Sequence, residues 1–214
     1  SIGKVSIAEP VFATLFARLL AEVEPRWADC FAVVWWPSGA AQERTAFALA
    51  DVVLAYGGNA ALQAMQAHVP VTTRFLPHGH KLSFGMVSAA ALSVHKAPSV
   101  ARQAALDVAR YDQQGCYSPH VFYVQRGAPV SPQDFAQHLA NELAILQHKL
   151  PRRALSLEEA AQVGAWREVH EFASLHDDTR PAYTVLGSGT GTSTVVFCER
   201  PLPLTAGPLN RHVL

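Results

Sequence analysis

The stretch DVVLAYGGN, residues 51–59, decides the fold. Five β-prone apolar residues run straight into Gly57-Gly58, and a helical pattern from Asn59 to His68 follows at once. Such a strand, glycine turn and helix is the repeating unit of a parallel α/β sheet. Working outward, Ala40 to Ala50 reads as the helix before this strand and Val71 to Leu76 as the strand after it. Phe31 to Trp36 is a further strand, closed by Pro37-Ser38-Gly39. From Glu9 to Glu24 the residues Val11, Leu15, Leu19, Leu20 and Val23 recur at helical spacing. Two or three β–α units in succession imply a parallel sheet with helices on its faces. Ser1 to Lys4 reads as lead-in with no element of its own.

The second half keeps the α/β character in another order. Ser83 to Leu92 is apolar and small, and leaves strand and helix open. Pro98 to Tyr111 predicts a helix, Pro119 to Val124 a strand. Ser131-Pro132 opens a strong helix with Phe135, Leu139, Leu143 and Leu146 on one face, because serine caps a helix and proline suits its first position. Ser156-Leu157-Glu158-Glu159 has the form of a capping box, with a helix to about Leu175. Strands are expected at Ala182–Leu186 and Thr194–Cys198, joined by the glycine-rich Gly187 to Thr192, and a loop at Asp177–Pro181. The loop Pro77 to Lys81 is the expected domain boundary.

Composition narrows the function. Half of the 214 residues are hydrophobic and 16% are charged, so a buried core is within reach. Lys+Arg and Asp+Glu are both 17, and no basic block stands out, which argues against a nucleic-acid partner. No run reaches the roughly 18 apolar residues of a membrane span. Three widely spaced cysteines, Cys30, Cys116 and Cys198, suit a reduced cytoplasmic protein better than a disulfide framework.

Few residues are candidates for chemistry. Cys30 and Cys198 adjoin or lie in β-prone runs and read as ordinary packing residues. Cys116 follows the polar run Asp112-Gln113-Gln114-Gly115, which breaks the helix, so it sits in a turn whose backbone N–H groups could hold an oxyanion. A small buried residue is the competing interpretation. Gly57-Gly58 before a helix start can admit a ligand phosphate, though a tight turn explains the pair equally well. His78 and His80 have no third ligand near in sequence, so no metal site is expected. Gly187 to Thr192 lacks the lysine of a phosphate loop, and no nucleophile-elbow serine occurs.

Four segments carry a resemblance: KVSIAEP (4–10), AYGGN (55–59), RFLPHGHK (74–81) and QQGCYSP (113–119). With these the chain resembles the acyl-CoA reductase family typified by the fatty-acid reductase subunit of bacterial luminescence, within the aldehyde dehydrogenase superfamily. The resemblance implies an α/β fold of aldehyde-dehydrogenase type. Residues 1–76 would be the C-terminal half of an NADP-binding domain, residues 77–200 a catalytic thiol domain, and residues 201–214 a segment returning toward the cofactor domain. It implies that Cys116 accepts an acyl group as a thioester, and that NADPH then reduces it to the aldehyde. Lys4 would contact the adenosine side of NADP, with Gly57, Gly58 and Asn59 at the cofactor turn. The donor would be a fatty acyl-CoA or an acyl carrier, and a homo-oligomer fits the superfamily. The glutamate that activates water in hydrolytic relatives is missing from Pro77 to Lys81, which favours reduction over acid formation. Ala206 to Leu209 faintly echoes a cofactor motif, again without its glutamate. The oxyanion asparagine and the first half of the dinucleotide fold would lie upstream of this chain. The rivals are a thiol acyltransferase or thioesterase without nicotinamide, and a non-catalytic fragment of a larger reductase.

Overall fold

The computed structural model describes residues 1–6, 10–175, 183–187 and 192–214. The chain divides into two units, Ser1–His80 and Lys81–Leu214. The division falls four residues beyond the boundary expected after residue 76.

In the first unit, β1 (Ile2–Lys4) leads to helix α1 (Pro10–Val23), and β2 (Ala32–Val34) returns parallel to β1, pairing Ile2 with Ala32 and Lys4 with Val34. Three residues of Ile-Gly-Lys carry no legible period, so β1 was invisible in the sequence; pairing with β2 creates it. Helix α2 (Ala41–Leu49), β3 (Val52–Tyr56), α3 (Asn59–Gln66) and β4 (Arg74–His78) complete the unit. β3 and β4 are parallel, from Val52 with Arg74 to Tyr56 with His78. The parallel β–α repeat expected from the sequence is therefore present.

β4 corrects the reading of its segment. The strand starts later than Val71 and runs through Pro77 and His78, which were expected in a loop. Arg74 N–H donates to Asp51 O (2.9 Å) and Gly57 N–H to His78 O (3.3 Å), so the even-numbered residues of β4 face β3. Pro77 points its ring nitrogen the other way, where β3 needs no donor, and a proline is tolerated there. Upstream, Thr73 N–H turns back to Pro70 O, and its hydroxyl lies 2.9 Å from Ala50 O and 3.2 Å from Phe47 O. Those bonds hold residues 70–73 in a turn instead of a strand.

The second unit contains β5 (Ser83–Val87), α4 (Ala97–Ala109), β6 (Pro119–Val124), α5 (Pro132–Lys149), α6 (Leu157–Leu175), β7 (Tyr183–Leu186), β8 (Thr194–Cys198) and β9 (His212–Val213). The ambiguous run at 83–92 resolves into a strand and a short 3-10 turn. β5 pairs parallel with β6, β7 antiparallel with β8, and β8 parallel with β9. Leu214 connects these ladders: its N–H donates to His120 O (3.1 Å), and its C=O accepts from Phe122 N–H (2.9 Å). The segment 201–214, expected to turn toward the cofactor domain, thus ends paired with β6 and β8 of the second unit. Residues 188–191 of the expected glycine-rich hairpin, Ala182, and the loop Asp177–Pro181 lie outside the described residues.

The core of this unit lies where α4 meets α5. Helix α4 offers a flat face of Ala97, Ala101, Ala104 and Ala105 with Val108, and α5 sets Phe135, Leu139 and Leu143 against it. Alanines let the two helices approach closely, and the larger side chains of α5 then fill the volume. Serine 131 caps α5 as expected: Asp134 N–H donates to Ser131 Oγ (3.1 Å), and Ser131 N–H donates to Asp134 Oδ2 (3.3 Å). At α6, Ser156 N–H and Glu159 Oε2 (2.9 Å), with Glu159 N–H and Ser156 Oγ (3.2 Å), make the second box. The Arg153 guanidinium and the Ser156 N–H hold the Glu159 carboxyl down to about 2. A Cβ at Gly85 would lie 2.3 Å from Phe122 Cδ1, so any side chain there would have to displace that ring.

Candidate functional site

The cysteine turn grows out of the end of α4. After Ala109 the chain makes a 3-10 turn over Arg110–Gln113 in which Tyr111, Asp112 and Gln113 are left-handed, with φ of 53°, 49° and 66°. None is glycine, so each conformation costs about 1 kcal/mol or more. Bonds made by the same residues offset that cost. The Gln113 side chain is fully buried and saturated: Nε2 donates to Pro119 O (2.8 Å) and His212 O (3.2 Å), and Oε1 accepts from Arg211 N–H (3.0 Å) and His212 N–H (3.1 Å). Asp112 Oδ1 meets the Arg211 guanidinium at 2.7 and 3.0 Å.

Cys116 stands at the apex of the turn that follows, and it is exposed, as expected from the sequence. Ser118 N–H closes the turn on Gly115 O (2.9 Å), and Ser83 Oγ donates to Cys116 O (2.7 Å). Among the described residues the backbone N–H groups of Cys116 and Tyr117 donate no hydrogen bond. A reachable sulfur beside unengaged N–H donors is the arrangement that attack on a carbonyl requires. The Tyr117 ring meets Tyr111 edge-on at 6.1 Å, and the neighbouring Tyr111 pushes the Tyr117 phenol up from its ordinary value.

The other two thiols depart from the expectation of burial. Cys30 is exposed and Cys198 half-buried. Neighbouring β-prone residues suggested packing, but β2 spans only Ala32–Val34 and leaves Cys30 outside it. Exposure alone therefore does not single out Cys116. Its turn does.

In the first unit, Gly57 and Gly58 form the turn from β3 into α3, with Gly58 in the capping position and no side chain capping the helix. A Cβ at Gly58 would meet nothing within 4 Å, and one at Gly57 only Ala61 Cβ at 3.8 Å. The space above the turn is open, and the first N–H groups of α3 are available to a phosphate. The Asn59 side chain lies against Gly79, with Oδ1 2.6 Å from where a Cβ would stand. Lys4 is exposed at the end of β1, and no hydrogen bond joins it to Gly57, Gly58 or Asn59 among the described residues. His78 stacks on Tyr56, ring centroids 4.7 Å apart. Among the described residues no group of three His, Cys, Asp or Glu side chains is arranged to hold a metal ion.

Sequence reasoning read Gln113 as part of the polar run that breaks the helix, and the structure shows it shaping the turn through all of its amide capacity. It missed Asp112, Asn210, Arg211 and His212. Their partners lie about a hundred positions away, a separation at which no local spacing carries a signal. His212 is fully buried, and burial together with Arg152 and Arg167 pushes its imidazole down to about 3. Two hollows lie elsewhere in the second unit. An apolar one of about 820 Å³ runs along β6 and β8, with Phe122, Val124, Leu139, Val196 and Cys198 in its wall. A smaller one, about 210 Å³, is bordered by His120, Trp166 and His170.

The family model described as acyl-CoA reductase (LuxC) matches residues 1–214. Among curated relatives, the chain is similar to the long-chain acyl-protein thioester reductase of Photorhabdus laumondii, 26% identical over 199 residues, 89% of this chain and 39% of the relative. The enzyme of the same description from Vibrio harveyi is 26% identical over 84% of this chain and 37% of its own length. That from Aliivibrio fischeri is 31% identical over 72% and 30%. The chain thus spans about two fifths of the length of the first of these relatives. Among solved structures, the aldehyde dehydrogenase KauB from Pseudomonas aeruginosa superposes with a TM-score of 0.64 at 13% identity, over 100% of this chain and 45% of that one. The NAD-dependent aldehyde dehydrogenase from Burkholderia multivorans gives 0.59 at 14% identity, over 99% and 41%.

Proposed function

The chain belongs to the acyl-CoA reductase (LuxC) family and has the α/β fold of the aldehyde dehydrogenases, and from this we propose that it carries the acyl-accepting thiol and part of the nicotinamide site of a fatty acyl-thioester reductase. The observation that carries the proposal is Cys116 itself, an exposed sulfur on a turn with two unengaged N–H groups.

In this mechanism Cys116 Sγ attacks the acyl carbonyl carbon of a thioester donor. The N–H groups of Cys116 and Tyr117 face the oxygen as it gains charge. The bond from the acyl carbon to the donor sulfur breaks, and the donor thiol leaves with the proton given up by Cys116. The acyl group is now a thioester of Cys116. A bound nicotinamide cofactor, NADPH in this reading, supplies the hydride that converts the acyl carbon to an aldehyde and frees the cysteine sulfur. Gly57, Gly58 and the start of α3 at Asn59 would hold the cofactor phosphate, and Lys4 its adenosine side. The open space above Gly58 suits such an approach. Pro77 to Lys81 offers no carboxylate to activate water, which supports reduction over hydrolysis.

The family description names acyl-CoA, and the curated relatives are named for acyl-protein thioesters. A donor thioester with a long acyl chain, carried by CoA or by an acyl-carrier protein, covers both. Among the described residues no helix is long and apolar enough to cross a membrane, and three unpaired thiols fit a reducing, cytoplasmic setting.

The test is turnover with acyl-CoA and with acyl-carrier protein while the NADPH absorbance band is followed. The proposal expects donor thiol release that disappears in Cys116→Ser and persists in Cys30→Ser and Cys198→Ser, and NADPH consumption wherever the cofactor site is complete. Thiol release without aldehyde in the presence of NADPH, in a protein that binds it, would favour an acyltransferase or thioesterase. Lys4→Ala is expected to weaken NADPH binding by about tenfold, on the scale of one charge-assisted hydrogen bond.

A further inference from the structure

The turn that presents Cys116 is fastened at both ends by one side chain. The Gln113 amide belongs to the residue that enters the turn, and it also donates to Pro119 O, where β6 begins. Residues 114–118, with Cys116 in their middle, therefore form a ring closed by that amide. The same amide makes three more bonds, to the N–H of Arg211 and to the N–H and C=O of His212. Glutamine alone fits the position. Glutamate accepts but cannot donate, and asparagine is one methylene short.

A second set of bonds runs beside it. Arg211 is buried and grips Asp112 through two nitrogens, while Nη1 donates to Leu150 O (2.8 Å) and Gln147 Oε1 (3.1 Å) at the end of α5. Asn210 N–H donates to Asp112 O (3.1 Å), and Gln114 Nε2 donates to Asn210 Oδ1 (3.3 Å). The partner segment is left-handed as well, with φ of 61°, 56° and 73° at Leu209, Asn210 and Arg211. Two left-handed triplets thus face each other, one leading into the thiol turn and the other into β9. What both triplets achieve is to aim their backbone groups at one another.

We infer that the segment Leu209–His212 is the positioning element of the Cys116 turn, acting through the buried Gln113 amide and the Arg211–Asp112 ion pair. This rests on the reading of Cys116 as the acyl acceptor. Its role is to hold the apex N–H groups where the oxyanion forms, not to touch the substrate. The consequence is selective. Acyl transfer to Cys116 passes through an oxyanion and needs those N–H groups aligned; alkylation by iodoacetamide displaces iodide and forms no oxyanion.

The experiment compares both reactions at Cys116 in the full 214-residue chain, with Cys30 as an internal reference, in wild type, Gln113→Met and Asp112→Asn. The probes are a long-chain acyl-CoA and iodoacetamide, and peptide mass spectrometry reads the rates. Gln113→Met should slow acylation on the order of 10²-fold, as a misplaced reacting group does, and Asp112→Asn about tenfold, for one weakened charge-assisted contact. Alkylation should stay within about threefold of wild type in both, because its transition state needs no oxyanion donor. If Gln113→Met fails to fold by circular dichroism, Asp112→Asn, which keeps shape and size, decides alone. Acylation unchanged in a folded variant, or acylation and alkylation falling together, overturns the positioning role and leaves the acyl-acceptor reading standing. Wild-type protein that alkylates at Cys116 but takes no acyl group overturns that reading and the positioning role with it.

Discussion

The two units of this chain bury their apolar residues very differently. In Lys81–Leu214, α4 and α5 close on each other, and Phe135, Leu139 and Leu143 are almost wholly removed from solvent. In Ser1–His80, only Phe47, Ala55 and Leu62 are buried apolar residues among those described, while Phe12, Phe16 and Leu19 of α1 are at least half exposed. Both units contain parallel strand pairs and amphipathic helices. What differs, among the described residues, is whether two apolar faces are brought into register. The second unit achieves this by placing an alanine face against a leucine and phenylalanine face. Its thiol turn follows the buried end of α4, whereas the glycine turn of the first unit follows β3, in which Ala55 alone is buried.

The largest effect that would break this contrast comes from the core. Phe135→Ala should destabilise the second unit by about 3–5 kcal/mol, read as a lowered denaturant midpoint for the transition that reports on it. A cost below about 1 kcal/mol would mean that α4 and α5 do not carry the unit.

Acid should act next. Burial, then Arg152 and Arg167, push His212 down to about 3 from an ordinary value of 6.5. The unfolded chain thus binds the proton first as pH falls. The contribution of neutral His212 is fully present above about pH 6.5 and declines toward pH 3, by about 1.4 kcal/mol per pH unit. Between pH 6.5 and pH 4.5 the second unit should lose roughly 2–3 kcal/mol on this account, measured by urea titrations at several pH values. His212→Gln should flatten that slope, and an unchanged slope would remove His212 as its cause.

Smaller effects sharpen the comparison. Ser131→Ala removes the α5 cap and should cost about 1 kcal/mol, visible as a small fall in thermal midpoint. Phe12→Ala on the exposed face of α1 should change stability by under about 0.5 kcal/mol. A loss at Phe12 as large as that at Phe135 would show that the first unit has a core of its own at α1.

Much of this was legible in the sequence, and the limits have physical causes. The helices with strong caps, at Ser131 and Ser156, begin where the capping residues place them, because those signals are local. β6 spans Pro119–Val124 as expected. β1 and β9 escaped notice because strands of three and two residues have no period and exist only through their partners. β4 was displaced because proline was read as a terminator, and here its missing donor faces away from β3. At the site, Cys116 stood out through Gly115 and the broken helix. Its brace did not, since Arg211 and Asp112 become neighbours only after the chain folds. The burial expected for Cys30 failed for the opposite reason: a β-prone neighbourhood marks a strand, not its ends.

One measurement bears most directly on the central claim. The intact chain is incubated with a long-chain acyl thioester without nicotinamide, digested, and the acyl mass located. A single acyl group on the peptide containing Cys116, absent from Cys116→Ser, is the predicted result. An acyl group on the Cys30 or Cys198 peptide with Cys116 unmodified, in folded protein, would contradict it.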